Sequence, residues 1–127
     1  MQVEVLYRGR VFTLFGIQND DRSLVKEFLD GMDHQNKTQM MALINRIKDH
    51  GLPDNIEKFR PLGDGIYELK TRGGSRILCF IGRPQYSLVL THGFPKCKPQ
   101  RLKREKEKAL AWYREYQTSK VIIEREP

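Results

Sequence analysis

The chain has few of the features that would place it in a membrane or in an oxidising compartment. Only two of its 127 residues are cysteine, Cys79 and Cys97, and neither has a partner at C-x-x-C spacing. That pattern excludes a disulfide framework and gives no zinc or redox motif. No apolar run is longer than that of residues 77–81, which is far below the roughly 18 residues that a membrane span needs. The sequence therefore predicts no transmembrane helix.

The N-terminus also lacks a secretory signal. Its first ten residues, MQVEVLYRGR, do not have the basic-then-apolar layout of a signal peptide, and charged residues recur through the first thirty positions. We expect a cytoplasmic protein with no membrane partner. No Pro/Ser-rich or Gln-rich tract favours disorder, and the length suits a single domain spanning residues 1–127.

A third absence is the most informative. Residues 69–104 contain no Asp or Glu, whereas residues 1–68 carry eleven acidic side chains and nine basic ones, and residues 105–127 carry five of each. The whole net charge of +7 therefore comes from this middle segment. Such a patch attracts polyanions, which predicts contact with nucleic acid. Its basic residues are Lys70, Arg72, Arg76, Arg83, Lys96, Lys98, Arg101, Lys103 and Arg104.

The first half of the chain predicts strands followed by helices. Apolar residues alternate with polar ones over residues 3–7, and a second β-favouring run covers residues 11–15, which together indicate an N-terminal strand or hairpin. Residues 19–21 can cap a first helix with apolar positions between residues 24 and 32. A second helix, with the apolar face Met40, Met41, Ile44 and Ile47, should end at Gly51.

The second half predicts a meander and one further helix. Three β-rich runs, residues 66–71, 76–81 and 86–91, are separated by turn residues. Pro99 opens a third helix, and residues 121–123 indicate a short extra strand. The order predicts an α+β fold in which an antiparallel β-sheet carries two N-terminal helices and one C-terminal helix.

Three short motifs follow one another in this second half. They are LGDGIYELK at residues 62–70, GSRILCF at 74–80 and LTHGFPKCKP at 90–99. Their order and spacing resemble the RelE/ParE toxin superfamily, and most of all its HigB-type, phage-derived branch. The resemblance covers about residues 20–117 and implies a RelE-like, microbial-RNase-like fold. It also implies the toxin of a type II toxin–antitoxin system, a cognate antitoxin of helix-turn-helix type, and metal-independent cleavage of ribosome-bound mRNA.

The residue types agree with that chemistry. RNA cleavage by its own 2′-hydroxyl needs a base, cations that stabilise the charged transition state, and an acid for the departing 5′-oxygen. Arg, Lys and His supply all three. A metal-dependent nuclease needs clustered carboxylates, and only Asp64 and Glu68 lie near the edge of the basic segment. We therefore expect neither a metal nor another cofactor.

Four residues are candidates for catalysis. Arg76 matches the arginine of the family's G-x-R strand and is expected at an exposed position, where it either contacts the scissile phosphate or is simply a surface arginine. His92 could transfer a proton near neutral pH, or could be structural. Lys96 and Lys98 match the family's basic pair and could act as general base or acid, or only bind phosphate.

Six further residues are predicted to bind RNA: Lys70, Arg72, Phe94, Arg101, Lys103 and Arg104. Phe94 could stack on an unpaired base, or could be a hydrophobic plug. Some ribosome-dependent relatives carry a tyrosine near the active site. Here Tyr113 and Tyr116 fall on the apolar face of the third helix and are expected in the core, so the acid–base assignment stays open.

Two other functions fit the same pattern. One is a non-catalytic toxin of ParE type, which shares this scaffold but inhibits DNA gyrase through protein contacts. The other is a phage-derived nucleic-acid-binding protein without activity. The presence of Arg76, His92, Lys96 and Lys98 favours the endoribonuclease.

Overall fold

The computed structural model describes residues 1–124, which form a mixed α+β fold with one sheet. Three helices accompany the strands: Leu24–Asp30 (α1), His34–His50 (α2) and Pro99–Thr118 (α3). The strands are Gln2–Arg8 (β1), Thr13–Asn19 (β2), Arg22–Ser23 (β3), Phe59–Gly63 (β4), Ile66–Lys70 (β5), Arg76–Ile81 (β6), Ser87–Phe94 (β7) and Ile122–Glu124 (β8). Within residues 1–124, no helix combines the length and the apolarity needed to cross a membrane.

The sheet is mixed, not antiparallel as predicted. Its strand order is β4-β5-β6-β7-β2-β1-β8, and the two-residue strand β3 pairs with β2. The predicted hairpin β1–β2 and the predicted meander β5–β6–β7 are confirmed as antiparallel. However, β2 runs parallel to β7, and β1 runs parallel to β8. These two pairings join segments that are distant in sequence, so no turn signal between neighbouring strands could reveal them.

The helix arrangement also differs from the prediction, because the sheet is covered on both faces. Buried side chains of α1 and α2 share one core with Ile77 and Cys79 of β6. The intervening Leu78 and Phe80 belong to a second core with residues of α3. Successive strand residues point to opposite faces, so a strand between two layers is apolar at every position. Both faces of β6 are accordingly buried.

Several element boundaries follow from local chemistry. The cap predicted at residues 19–21 is wrong: β2 runs to Asn19, and Asp20 and Asp21 form a turn with φ of 51° and 64°. Asp tolerates the left-handed conformation that tight hairpin turns require. Helix α1 begins later, after Ser23.

Helix α2 ends as predicted, immediately before Gly51, whose φ is 94°. Strand β4 was not predicted, because Pro61 argues against a strand except at an edge, where β4 lies.

Candidate functional site

The strands bring several of the predicted site residues to one end of the sheet. In the register of the strands, Lys70 of β5 pairs with Arg76 of β6, and Arg76 pairs with Phe94 of β7. His92 lies two residues before Phe94 on the same strand. Segment 95–98 then leads from β7 into the first turn of α3. The fold therefore brings the basic segment's strand ends and the start of α3 together.

Arg76 is not at the exposed position that the sequence predicted. It is only 7% exposed, because β6 lies in the middle of the meander and α3 covers the face to which Arg76, Leu78 and Phe80 belong. Its Nε lies 3.1 Å from Oε2 of Glu68, and its Nη1 donates to Sγ of Cys97 at 3.9 Å. The guanidinium thus connects β5, β6 and the segment before α3.

Glu68 is the anion beneath Arg76. Its side chain is fully buried, and its second oxygen, Oε1, lies 3.2 Å from Nη2 of the half-exposed Arg60. Neither carboxylate oxygen receives a well-directed hydrogen bond from the described residues, and the Nε–H of Arg76 is not aimed at one. The short distances therefore describe an ion pair held by charge. The buried carboxylate of Glu68 is thus paired with two guanidinium groups, and a buried charge requires such a partner.

His92 is held through both ring nitrogens. Nε2 lies 3.2 Å from Oε1 of Glu105, and Nδ1 lies 3.0 Å from Oγ1 of Thr91. The ring also packs against Trp112 and Phe94, at centroid distances of 5.3 and 5.7 Å. Burial lowers the pKa of His92, although the hydrogen bond and the charge of Glu105 oppose that shift. The neutral ring is favoured, and neither nitrogen is free in this conformation.

Glu105 is the site residue that the sequence did not reveal. It lies on α3 and is 6% exposed. Its oxygens lie 3.1 Å from Nζ of Lys108 and 3.1 Å from Nε of Arg101, besides the contact with His92. Burial raises the pKa of Glu105, but hydrogen bonds from Lys108, Arg101 and His92 outweigh that effect and hold it below its ordinary value. In the sequence, Arg101, Glu105 and Lys108 indicate only a charged face of a helix. We call Glu68, Arg76, His92 and Glu105 the carboxylate-tied cluster.

The exposed cations of this region lie around that cluster. Lys96 and Lys98 are exposed, on either side of Cys97, whose sulfur contacts Arg76. Lys103 and Arg104 are exposed on α3. None of these four forms an ion pair within residues 1–124, so their charges are available to a ligand. Arg101 is different, because it already pairs with Glu105 and its guanidinium lies 5.9 Å from the ring centre of Phe94.

Two of the aromatic residues, Phe94 and Tyr116, are buried, and Tyr113 is half-buried. Phe94 is 2% exposed and belongs to the core beneath α3, which leaves no open ring face for a base and favours the plug interpretation. Tyr116 is buried as expected, and its hydroxyl accepts from the backbone N–H of Arg83 at 2.9 Å. Tyr113 packs on Phe80, with a centroid distance of 4.6 Å.

Lys70 and Arg72 lie in a cleft beside α2. The cleft encloses about 510 Å³, and Arg46 of α2 and Lys58 of the loop before β4 line it as well. We call these four residues, Arg46, Lys58, Lys70 and Arg72, the basic cleft. Arg46 and Lys58 lie outside the acid-free segment, so no sequence pattern groups them with the other two. Among residues 1–124, no group of three or more His, Cys, Asp or Glu is placed to hold a metal.

The site falls inside a region that matches a known family. Residues 27–114, more than half of the chain, match the family model described as Phage derived protein Gp49-like (DUF891). The match covers α2, α1 from residue 27, the whole meander and most of α3. A comparison with curated proteins gives no match.

Proposed function

This chain belongs to the Gp49-like family of phage-derived proteins, a family associated with RelE/HigB-like toxins, and from that premise we propose that it is the toxin of a type II toxin–antitoxin system. We propose further that it is a metal-independent, ribosome-associated endoribonuclease of HigB type that cleaves mRNA and so inhibits translation. The observation that carries the second step is the arrangement of free cations. Lys96 and Lys98 are exposed and unpaired within residues 1–124, beside a cysteine that touches Arg76.

The exposed lysines suit the first contact with RNA. The ammonium group of a lysine lies on a flexible side chain and can stay close to a phosphate whose negative charge increases in the transition state. It can also donate a proton to the leaving 5′-oxygen. We assign phosphate binding to Lys96 and Lys98, and protonation of the leaving group to one of them. Lys103 and Arg104 would extend the same surface along α3.

Arg76 and His92 need to leave their carboxylates before they can act. Each carboxylate keeps another cation when that happens: Glu68 keeps Arg60, and Glu105 keeps Arg101 and Lys108. Release therefore does not leave a buried anion without a partner, which would be the main energetic cost. We assign Arg76 to the scissile phosphate and His92, neutral because burial lowers its pKa, to the 2′-hydroxyl proton.

The decisive experiment maps cleavage on ribosomes. Purified protein is incubated with ribosomes and a defined messenger, and the 5′ ends are sequenced. We expect new 5′ ends within the translated region, and none when Lys96 and Lys98 are both replaced by glutamine. Growth arrest by the folded protein while the messenger stays intact would contradict the endoribonuclease.

One observation favours the gyrase inhibitor as a second candidate. Arg76 and His92 are both held by buried carboxylates, so the conformation described here offers no free catalytic arginine or histidine. A toxin of ParE type needs neither. Inhibition of DNA supercoiling by gyrase, with messenger intact, would identify that function. Normal growth with verified folded protein would instead indicate a phage-derived nucleic-acid-binding protein without activity.

The proposed partner is an antitoxin of helix-turn-helix type. The excess of positive charge on the toxin would give an antitoxin with an acidic segment both faster encounter and higher affinity. Co-expression of the adjacent gene should restore growth and yield a stable complex. If no neighbouring gene product binds or neutralises the protein, the toxin–antitoxin assignment loses its support.

A further inference from the structure

The basic cleft has the properties of a separate anion site. It is lined by residues from three parts of the chain: Arg46 from α2, Lys58 from the loop before β4, and Lys70 and Arg72 from β5 and the turn after it. None of the four forms an ion pair within residues 1–124. By contrast, the cations of the carboxylate-tied cluster are balanced by Glu68 and Glu105.

The backbone around the cleft is fixed by hydrogen bonds between its parts. The N–H of Lys70 donates to the carbonyl of Lys58 at 3.0 Å, which places these two lysines on adjacent chain segments. The N–H of Gly73 donates to Oε1 of Gln39 at 3.0 Å and ties the turn that carries Arg72 to α2. The cleft walls are therefore held in place without a ligand, and less ordering is needed when one binds.

The cavity has two lobes that meet at the cations. The first, of about 510 Å³, also contains Ala42 and Leu43 of α2. The second, of about 570 Å³, shares Lys58, Lys70 and Arg72 with the first but adds Glu57. Phosphate groups would bind at the shared cations, and the apolar wall of the first lobe suits a planar base. The carboxylate of Glu57 opposes further phosphates in the second lobe.

We propose that the basic cleft binds a small polyphosphate anion of the nucleoside di- or triphosphate class. Ligand pockets of roughly 300 to 1,000 Å³ hold molecules of this size. The four cations match a ligand with three or four negative charges, and the apolar wall accounts for a base. A strand of RNA that ran through both lobes would have to place phosphates in the second lobe, where Glu57 repels them. This inference does not rest on the proposed toxin function.

Calorimetric titration of the full chain tests the site. The probes are ATP and GTP without divalent metal, inorganic triphosphate, orthophosphate and a short single-stranded RNA, all at one fixed ionic strength, because charge contacts weaken with salt. We expect the nucleoside triphosphates to bind more tightly than inorganic triphosphate, and orthophosphate to bind most weakly. The RNA should not displace ATP from the cleft.

Two matched pairs of variants locate the binding. Arg46→Gln with Lys58→Gln should raise the Kd for ATP at least about tenfold, since each change removes a charge-assisted contact. Arg114→Gln with Lys120→Gln removes the same charge from exposed positions on and after α3, and should change the Kd less than about twofold. Ala42→Glu should block the apolar lobe, whereas Gln35→Glu, an exposed change on the same helix, should not.

The inference is overturned by any of three results. In the first, ATP and GTP fail to bind the wild-type protein. In the second, they bind both double variants equally well. In the third, RNA displaces ATP and loses affinity in the cleft variant, which would make the cleft part of an RNA surface. Cleavage of messenger is measured separately, so failure of the nucleotide site leaves the proposed toxin function standing, and the reverse also holds.

Discussion

The carboxylate-tied cluster and the basic cleft use the same kinds of cation in opposite ways. In the cluster, Arg76 is buried against Glu68, and His92 against Glu105. In the cleft, Arg46, Lys58 and Arg72 are exposed and unpaired within residues 1–124. The first arrangement stabilises a particular packing of α3 on the sheet. The second leaves charge for a ligand.

The difference shows how a charge pattern in sequence can mislead. The two acids nearest to the acid-free segment are Glu68, just before it, and Glu105, just after it. In the folded chain both pair with cations of that segment, Glu68 with Arg76 and Glu105 with Arg101. The positive charge predicted around Arg76 and His92 is therefore reduced where those residues lie. The free charge is found on Lys96 and Lys98, along α3, and in the cleft beside α2.

Removing the buried anion should give the largest effect on stability. Glu68→Gln leaves Arg76 buried without a counter-charge, and breaking such a pair from one side costs about 3 kcal/mol or more. Urea unfolding should show that loss. Asp30→Asn, which removes an exposed acid 3.8 Å from Lys37, should change the unfolding free energy by less than about 0.5 kcal/mol. Equal effects of the two changes would show that Glu68 and Arg76 are not a buried pair.

The exposed lysines should dominate activity instead. Lys96→Gln with Lys98→Gln should lower the rate of messenger cleavage at least about 100-fold, because charge on the transition state loses its stabilisation. The unfolding free energy should stay unchanged, since both side chains are exposed. Arg114→Gln with Lys120→Gln serves as the charge-matched control and should cleave at the wild-type rate. If both double variants slow cleavage equally, the rate depends on net charge alone, and Lys96 and Lys98 are not the site.

Charge reversal on α3 should have a smaller effect, on association rates. Lys103→Glu with Arg104→Glu should slow binding to antitoxin and to ribosome by about tenfold at low salt and much less at high salt, because screening weakens exposed contacts first. Stopped-flow measurements over a salt series provide the rates. If neither the reversal nor the salt matters, these residues are only a solvated helix face.

The elements with local signals could be predicted from the sequence. The end of α2 at Gly51 and the three strands of the meander follow from residues next to each other in the chain, and the structure confirms them. The parallel pairings of β2 with β7 and of β1 with β8 could not, because nothing local records which distant strands become neighbours. The position of α3 on the opposite face escaped prediction for the same reason.

The location of the site residues was predictable in part. The sequence placed Arg76 and His92 on strands of the meander and Lys96 and Lys98 just before the third helix, and they lie there. It did not show that Arg76 is buried, because the cover comes from α3, more than twenty residues later in the chain. Glu105 was missed because an acid between basic residues on a helix is usually solvated. Only its packing against His92 makes it part of the site. The catalytic roles themselves stay predictions.

The smallest effect concerns the protonation of His92. Burial lowers its pKa in the folded protein, so the unfolded chain takes up a proton near the ordinary value of 6.5 and the folded chain takes one up only at lower pH. The unfolded state then binds more protons, and stability falls as the pH drops from about 7 through 6.5. The pKa of Glu105 is lowered, so its stabilising contribution persists through this range and is lost only at lower pH.

We expect His92→Gln to flatten that dependence, since the contribution of this one proton, a slope of at most about 1.4 kcal/mol per pH unit, is lost with the imidazole. Urea unfolding at a series of pH values measures it. The exposed His34→Gln is the control and should keep the wild-type slope. If wild-type stability instead rises on acidification and His92→Gln removes the rise, the charge of Glu105 outweighs burial. His92 would then be cationic at the site, and the proton acceptor for the 2′-hydroxyl would have to be sought elsewhere.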